Sequence, residues 1–299
     1  MPDDPTLEGS TMPEFDTPDP ISATIELVVG DVTLVASDRR DTVVDVLPED
    51  PASAVDVRAA ERVAVEFVDG RLGVVTRDKW RQYSPLPRRF GSVSAVIRLP
   101  AGSAVRVRLG MGDLSADGSL ASCDVVTGTG HVRLDRTGPL RLKTATGTAT
   151  VDLIDGHADV VAAGKIRIGE VRGHARIKNL VGDTWIGHVA GHLRCRAAAG
   201  DIAVEQADCD VDARSASGDV RIREVVQGAV SLVTSSGDLE VGIRPGTAAH
   251  LDVRSQAGRV RNELTATEAP EPAAHTVEVF ARTPAGDVVV RRSRPSSDS

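Results

Sequence analysis

Between Gly112 and Val241 the chain alternates apolar and polar residues in short bursts, and each burst opens on a glycine. The openings are Gly112-Asp113-Leu114, Gly130-His131-Val132, Gly147-Thr148-Ala149, Gly164-Lys165-Ile166, Gly182-Asp183-Thr184, Gly200-Asp201-Ile202, Gly218-Asp219-Val220 and Gly237-Asp238-Leu239, spaced 17 to 19 residues apart. A second glycine falls near the middle of most intervals, at Gly138, Gly156, Gly173, Gly191 and Gly228. Period-two alternation marks a strand with one buried face. A fixed longer period marks equal units that bury their apolar faces against one another. Each unit therefore reads as one coil with two short strands, one after each glycine.

Alternation assigns the inward positions. On the first strand they are Leu114, Val132, Ala149, Ile166, Thr184, Ile202, Val220 and Leu239, then Ala116, Leu134, Val151, Ile168, Ile186, Val204, Ile222 and Val241. On the second they are Leu140, Ala158, Ala175, Leu193, Val211 and Val230, then Leu142, Val160, Ile177, Cys195, Ala213 and Leu232. The expected fold is all-β: a β-helix or β-solenoid of about 18-residue coils, its handedness open. The corner glycines are expected to turn the backbone, often through positive φ. The aspartates after them are expected to accept turn N–H groups, in preference to building a calcium ladder.

Upstream, residues 1–20 carry five prolines and six acids and read as a disordered leader. Residues 21–109 read as an irregular β entry or cap, with strands at Ile21–Leu27, Gly30–Leu34, Val43–Leu47, Ala54–Arg58, Val63–Val68, Leu72–Thr76, Val93–Leu99 and Val105–Leu109 and essentially no helix. Regular coils fill 110–262, a loop and closing strand pair 263–290, and a frayed tail 291–299.

The phrase Gly-Asp-apolar-x-apolar at this period, with the strand Val96-Ile97-Arg98-Leu99-Pro100-Ala101-Gly102 before it, resembles DUF4097, a bacterial family of β-strand-repeat proteins of unknown function provisionally labelled adhesin. The resemblance runs from about Ile21 to Val290. It implies a β-solenoid with no established catalytic residues. Many members look membrane-attached or exported, and this chain shows neither kind of segment.

Composition narrows the chemistry. Aromatics make up 2% of the chain, so aliphatic side chains must fill the interior. The net charge of −8 argues against bulk attraction to nucleic acid. Three cysteines without metal spacing favour a reducing compartment, and no signal peptide or apolar span is visible, so a cytoplasmic location is expected. Neither a dinucleotide fingerprint nor a phosphate loop is present, and no cofactor is expected. A non-catalytic scaffold or binding protein is the leading function, with a protein or acidic polymer as partner. A self-assembling structural element is the alternative, and a carbohydrate-active enzyme a lesser one.

Three groups of residues are candidates for binding. The loop from Arg77 to Phe90 holds five basic residues and three of the seven aromatics. Trp80, Arg81, Tyr83, Arg88 and Arg89 there suit an anion, sugar or peptide, unless Trp80 and Phe90 fold down to cap the core. Outward positions of the second strand read Arg141, Lys143, Asp159, Val161, Arg176, Lys178, Arg194, Arg196, Asp212 and Arg214, a cationic grid in which Arg176, Lys178, Arg194 and Arg196 stand out. Finally, His157, His174 and His192 each follow a middle glycine and share one column, which is a metal candidate or a plain stacked turn.

Overall fold

The structure, a computed structural model, describes residues 13–77, 90–264 and 275–293. The entry region holds β1 (Glu14–Asp16), β2 (Ser22–Ser37), β3 (Asp41–Pro48), α1 (Ala54–Glu61), β4 (Val63–Val68), β5 (Arg71–Thr76), β6 (Val93–Pro100) and β7 (Ala104–Met111). Coils follow as strand pairs: β8 (Leu114–Leu120) with β9 (Ser122–Thr129), β10 (Val132–Thr137) with β11 (Leu140–Thr146), and β12 (Ala149–Ile154) with β13 (Ala158–Ala162). Next come β14 (Ile166–Val171) with β15 (Ala175–Val181), β16 (Thr184–Val189) with β17 (Leu193–Ala199), and β18 (Ile202–Ala207) with β19 (Val211–Ser217). The series closes with β20 (Val220–Val225) and β21 (Gly228–Thr234), β22 (Leu239–Ile243) and β23 (Ala248–Ala257), β24 (Val260–Asn262) and β25 (Thr276–Ala285), and β26 (Val288–Arg292).

From β8 onward, even-numbered strands stack parallel in a first sheet and odd-numbered strands in a second. The register steps by one coil each time, as in Ile202 opposite Thr184 and Val220. The fold is thus the expected β-solenoid. All four inward columns named above are buried, and Cys195 lies among them. Burial pushes the Cys195 thiol up to about 12, and Cys123, buried beside Asp124, likewise.

Two further inward columns complete the core. One lies at the end of the first strand: Leu120, Thr137, Ile154, Val171, Val189, Ala207, Val225 and Ile243. The other is a polar ladder on the second strand: Thr127, Thr144, Asn179, Ser215, Thr234 and Thr283. Several of its members donate hydrogen bonds to corner glycine carbonyls. Asn179 Nδ2 reaches Gly164 O at 2.9 Å and Gly182 O at 2.7 Å, and Thr234 Oγ1 reaches Gly218 O at 3.0 Å. Carbonyls turned inward at the corner would otherwise lack partners.

Both sets of glycines lie tightly against the coil beneath, and they differ in backbone conformation. At the Gly-Asp corner positive φ is real, +120° at Gly200 for example. At the middle corner Gly228 has it as well, at +99°, whereas Gly138, Gly173 and Gly191 do not. There the reason is contact, because a Cβ on Gly191 would sit 2.4 Å from the Gly173 carbonyl oxygen of the coil beneath. The aspartates cap the next coil rather than their own turn. Asp183 Oδ1 accepts from Asp201 N–H at 3.1 Å, Asp201 from Asp219 at 2.9 Å, Asp219 from Asp238 at 2.8 Å, and Asp238 from Asp287 at 2.8 Å.

The entry region departs from expectation in three places. Residues 21–34 do not form two strands: β2 runs unbroken through Gly30, its first half pairing with β5 and β7 in the second sheet and its second half with β6 and β8 in the first. The strand expected at Ala54–Arg58 is the helix α1. Val55 and Val57 imitate strand alternation, but Ser53 accepts from Asp56 N–H and caps a helix, and the alanines favour it. Within the expected leader, β1 pairs antiparallel with β3, and Phe15 stacks on Phe67 with centroids 5.0 Å apart. The antiparallel pairs β1–β3, β3–β6 and β4–β5 close this end.

The other end is reordered. The last strand pair is not the last rung: β25 lies between β21 and β23, and β26 between β22 and β24. Arg291 and Arg292, expected in a frayed tail, belong to β26, and Ser293 is buried. The loop expected at 265–274 lies outside the described residues.

Candidate functional site

Along the outer face of the second sheet, two columns of side chains stand on either side of a groove of about 800 Å³. One column follows the middle corner: Ser122, Pro139, His157, His174 and His192. The other lies two residues further along each strand: Asp124, Arg141, Asp159, Arg176 and Arg194. Strand alternation puts i and i+2 on one face, and pairing brings Arg141 beside Asp159, Asp159 beside Arg176, and Arg176 beside Arg194. A third column runs beyond, with Lys143 beside Val161, Val161 beside Lys178, and Lys178 beside Arg196.

The charges in these columns are not equivalent. At one end Asp124 takes Arg106 at 3.4 Å and Arg108 at 3.8 Å. At the other, Asp212 gathers Arg196 at 2.8 Å, Arg214 at 3.1 Å and Arg194 at 3.8 Å. Burial alone would raise the Asp212 carboxyl, but the guanidiniums of Arg196 and Arg214 outweigh it and hold the group below the usual carboxylate range. Between these clusters, Arg141, Lys143, Arg176 and Lys178 have no carboxylate partner among the described residues. The expected grid is therefore a window of cations without a carboxylate partner, with a cluster of arginines gathered on one aspartate at each side. Of the four residues singled out from sequence, Arg176 and Lys178 lie inside the window, whereas Arg194 and Arg196 belong to the Asp212 cluster.

The histidines form the opposite wall. The His157 and His174 rings are parallel within 2° with centroids 5.3 Å apart. His157 Nδ1 accepts from His174 N–H at 3.4 Å, and His174 Nδ1 from His192 N–H at 3.1 Å. Each imidazole thus does for its corner what aspartate does for the other, and Asp210 continues the column by accepting from Ala229 N–H at 2.8 Å. With Nδ1 engaged as an acceptor, a neutral ring carries its proton on Nε2. Among the described residues, no three His, Cys, Asp or Glu side chains converge as a metal ion requires.

The loop candidates Trp80, Arg81, Tyr83, Arg88 and Arg89 lie outside the described residues. Phe90, at the loop's end, is 59% exposed and does not cap the core. The outward cations are legible in the sequence, but which of them a carboxylate already holds depends on contacts between coils. No helix among the described residues is long and apolar enough to cross a membrane.

Among solved structures, the chain is similar to three bacterial proteins. One, from Parabacteroides distasonis, is provisionally named lipid-binding: 12% identity, 94% of this chain and 95% of that chain covered, TM-score 0.38. Another, from Bacteroides fragilis, is provisionally named an adhesin: 9% identity, coverage 94% and 95%, TM-score 0.33. A third, from Clostridium sporogenes, is provisionally named a cell adhesion protein: 11% identity, coverage 94% and 100%, TM-score 0.21. No curated protein matches. The sequence pattern of the Toastrack DUF4097 family matches residues 24–293, almost the whole described solenoid, and the chain belongs to that family.

Proposed function

We propose that the protein is a non-catalytic solenoid scaffold that binds an acidic polymer along the groove of its second sheet. One observation carries this reading. In a chain of net charge −8, four cations stand without a carboxylate partner and in register: Arg141 and Arg176 line the groove, and Lys143 and Lys178 stand in the next column beyond it. A cation left unpaired on an acidic protein produces a local positive potential that attracts an anion. The regular rungs fix the backbone spacing of the four before binding, so that only their side chains have to be ordered.

The test is chromatography on an immobilised sulfated polymer with a salt gradient. Arg141→Glu with Arg176→Glu is expected to elute at clearly lower salt than the parent. Arg133→Glu with Arg136→Glu makes the same charge change on the exposed face of the first sheet and is expected to elute close to the parent. Equal shifts in the two variants would show that only net charge matters and would remove the groove from the reading.

A further inference from the structure

The free cations are two rungs apart. Arg141 and Lys143 share one rung and Arg176 and Lys178 share another, while the rung between them carries Asp159 and Val161. At about 4.8 Å per rung, the two cationic pairs are about 9.6 Å apart along the stack. No ion pair occupies Asp159 among the described residues, although Arg141 and Arg176 flank it. The window therefore reads cation, carboxylate, cation along its length.

We infer that the groove takes an alternating acidic polysaccharide, one whose chain bears a carboxylate on every second sugar. This rests on the polymer-binding reading above and narrows it. A sugar chain laid along the stack at one sugar per rung of about 4.8 Å brings acidic sugars two residues apart to Arg141 and Arg176. Guanidinium forks match carboxylates bidentately. The neutral sugar between them lies at Asp159, which accepts hydrogen bonds from its hydroxyls and repels a second carboxylate there. Val161 on the same rung offers an apolar surface to the C–H face of a sugar. His157 and His174 add Nε2–H donors on the opposite wall.

Other polyanions fit this window less well. A polymer charged at every unit sets an anion against Asp159. Nucleic acid bases stack on aromatic side chains, and the groove lining contains no Phe, Tyr or Trp. A flat anionic membrane does not enter a concave groove bounded by the histidine column.

The experiment measures binding of fluorescent oligosaccharides by polarisation at low and high salt. One probe alternates hexuronate with N-acetylhexosamine; a second, oligogalacturonate, has a carboxylate on every sugar; an oligothymidylate of similar length is the third. The alternating probe is expected to bind most tightly. Arg141→Gln and Arg176→Gln are each expected to weaken it about tenfold, the loss of one charge-assisted contact. Asp159→Arg is expected to reverse the preference in favour of oligogalacturonate. All three positions point outward, and matching thermal melts confirm the fold. If oligogalacturonate or oligothymidylate binds as well as the alternating probe, or Asp159→Arg leaves the preference unchanged, the alternating match is overturned while acidic-polymer binding stands. Should no probe bind in a salt-dependent, Arg176-dependent way, both readings fall.

Discussion

A methyl group added at Gly191 would sit 2.4 Å from the carbonyl oxygen of Gly173, a backbone atom that cannot move without shifting its coil. At Gly73, on β5, the nearest atom to an added Cβ is 3.9 Å away and φ is not positive. Gly191→Ala is therefore expected to cost about 1–3 kcal/mol, the usual penalty of overpacking. Gly73→Ala is expected to be neutral or to stabilise by up to about 1 kcal/mol, through the less flexible unfolded chain. Urea denaturation midpoints of the two variants check this. Equal effects would mean that the corner can relax, and that close stacking is not what keeps glycine there.

At the scale of strands, each coil is joined to the next by side chains as well as by the backbone ladder. The aspartate column, the histidine column and the internal Thr/Asn ladder all satisfy backbone groups of a corner. The Asp212 cluster adds a charged link, with Arg196 donating through Nη1 and Nη2 at 3.0 and 2.8 Å. Asp212→Asn is expected to cost about 1–2 kcal/mol at neutral pH, between the values for exposed and for buried charged contacts. It is also expected to tighten retention on an anionic matrix, since Arg194, Arg196 and Arg214 lose their shared partner. The pH dependence follows from the depressed carboxyl. Its stabilisation is fully present above the unfolded pKa of about 3.9, and is lost as pH falls through the lower folded value. Parent and variant midpoints should therefore converge as the pH is stepped from about 5 to about 2. A constant difference across that range would dissociate the stability effect from the charge.

Considered as a whole, the molecule is a one-dimensional stack in which each coil contacts mainly its neighbours. Such a stack tolerates removal of one entire unit. Deleting Gly182–Ala199 joins Val181 to Gly200, so that β18 and β19 land on β14 and β15 with the same inward columns in line. The shortened protein is expected to keep its β circular dichroism and a cooperative unfolding transition at a lower midpoint. Deleting only 182–190 places a second-sheet strand where a first-sheet strand belongs and displaces every later coil. That protein is expected not to fold. If both deletions give the same outcome, the coils are not interchangeable units. The ends differ from the middle: antiparallel strands and α1 finish one, whereas β23 and β24 form the outermost rung of the other, with Val260 44% exposed.

Alternation and period alone were enough to place Ile202, Ile177 and Cys195 inside and Arg176 and Lys178 outside, because in a stack of equal coils the neighbour of each residue is the matching residue one period away. The glycine period likewise announced the corners, since a close-packed corner admits no Cβ. What the period does not carry, only the folded chain decided. It does not repeat in the entry region, so a helix capped by Ser53 could pass for a strand, and one long strand feeding both sheets could pass for two. Nor does it order strands that meet out of sequence: β26 inserts between β22 and β24, where Asp287 takes the next place in the aspartate column by donating its N–H to Asp238. The binding window is of the same kind. A count of outward charges could not separate Arg176 from Arg196, since the difference depends on whether an aspartate on an adjacent rung reaches the guanidinium, and that is settled by side-chain geometry across coils.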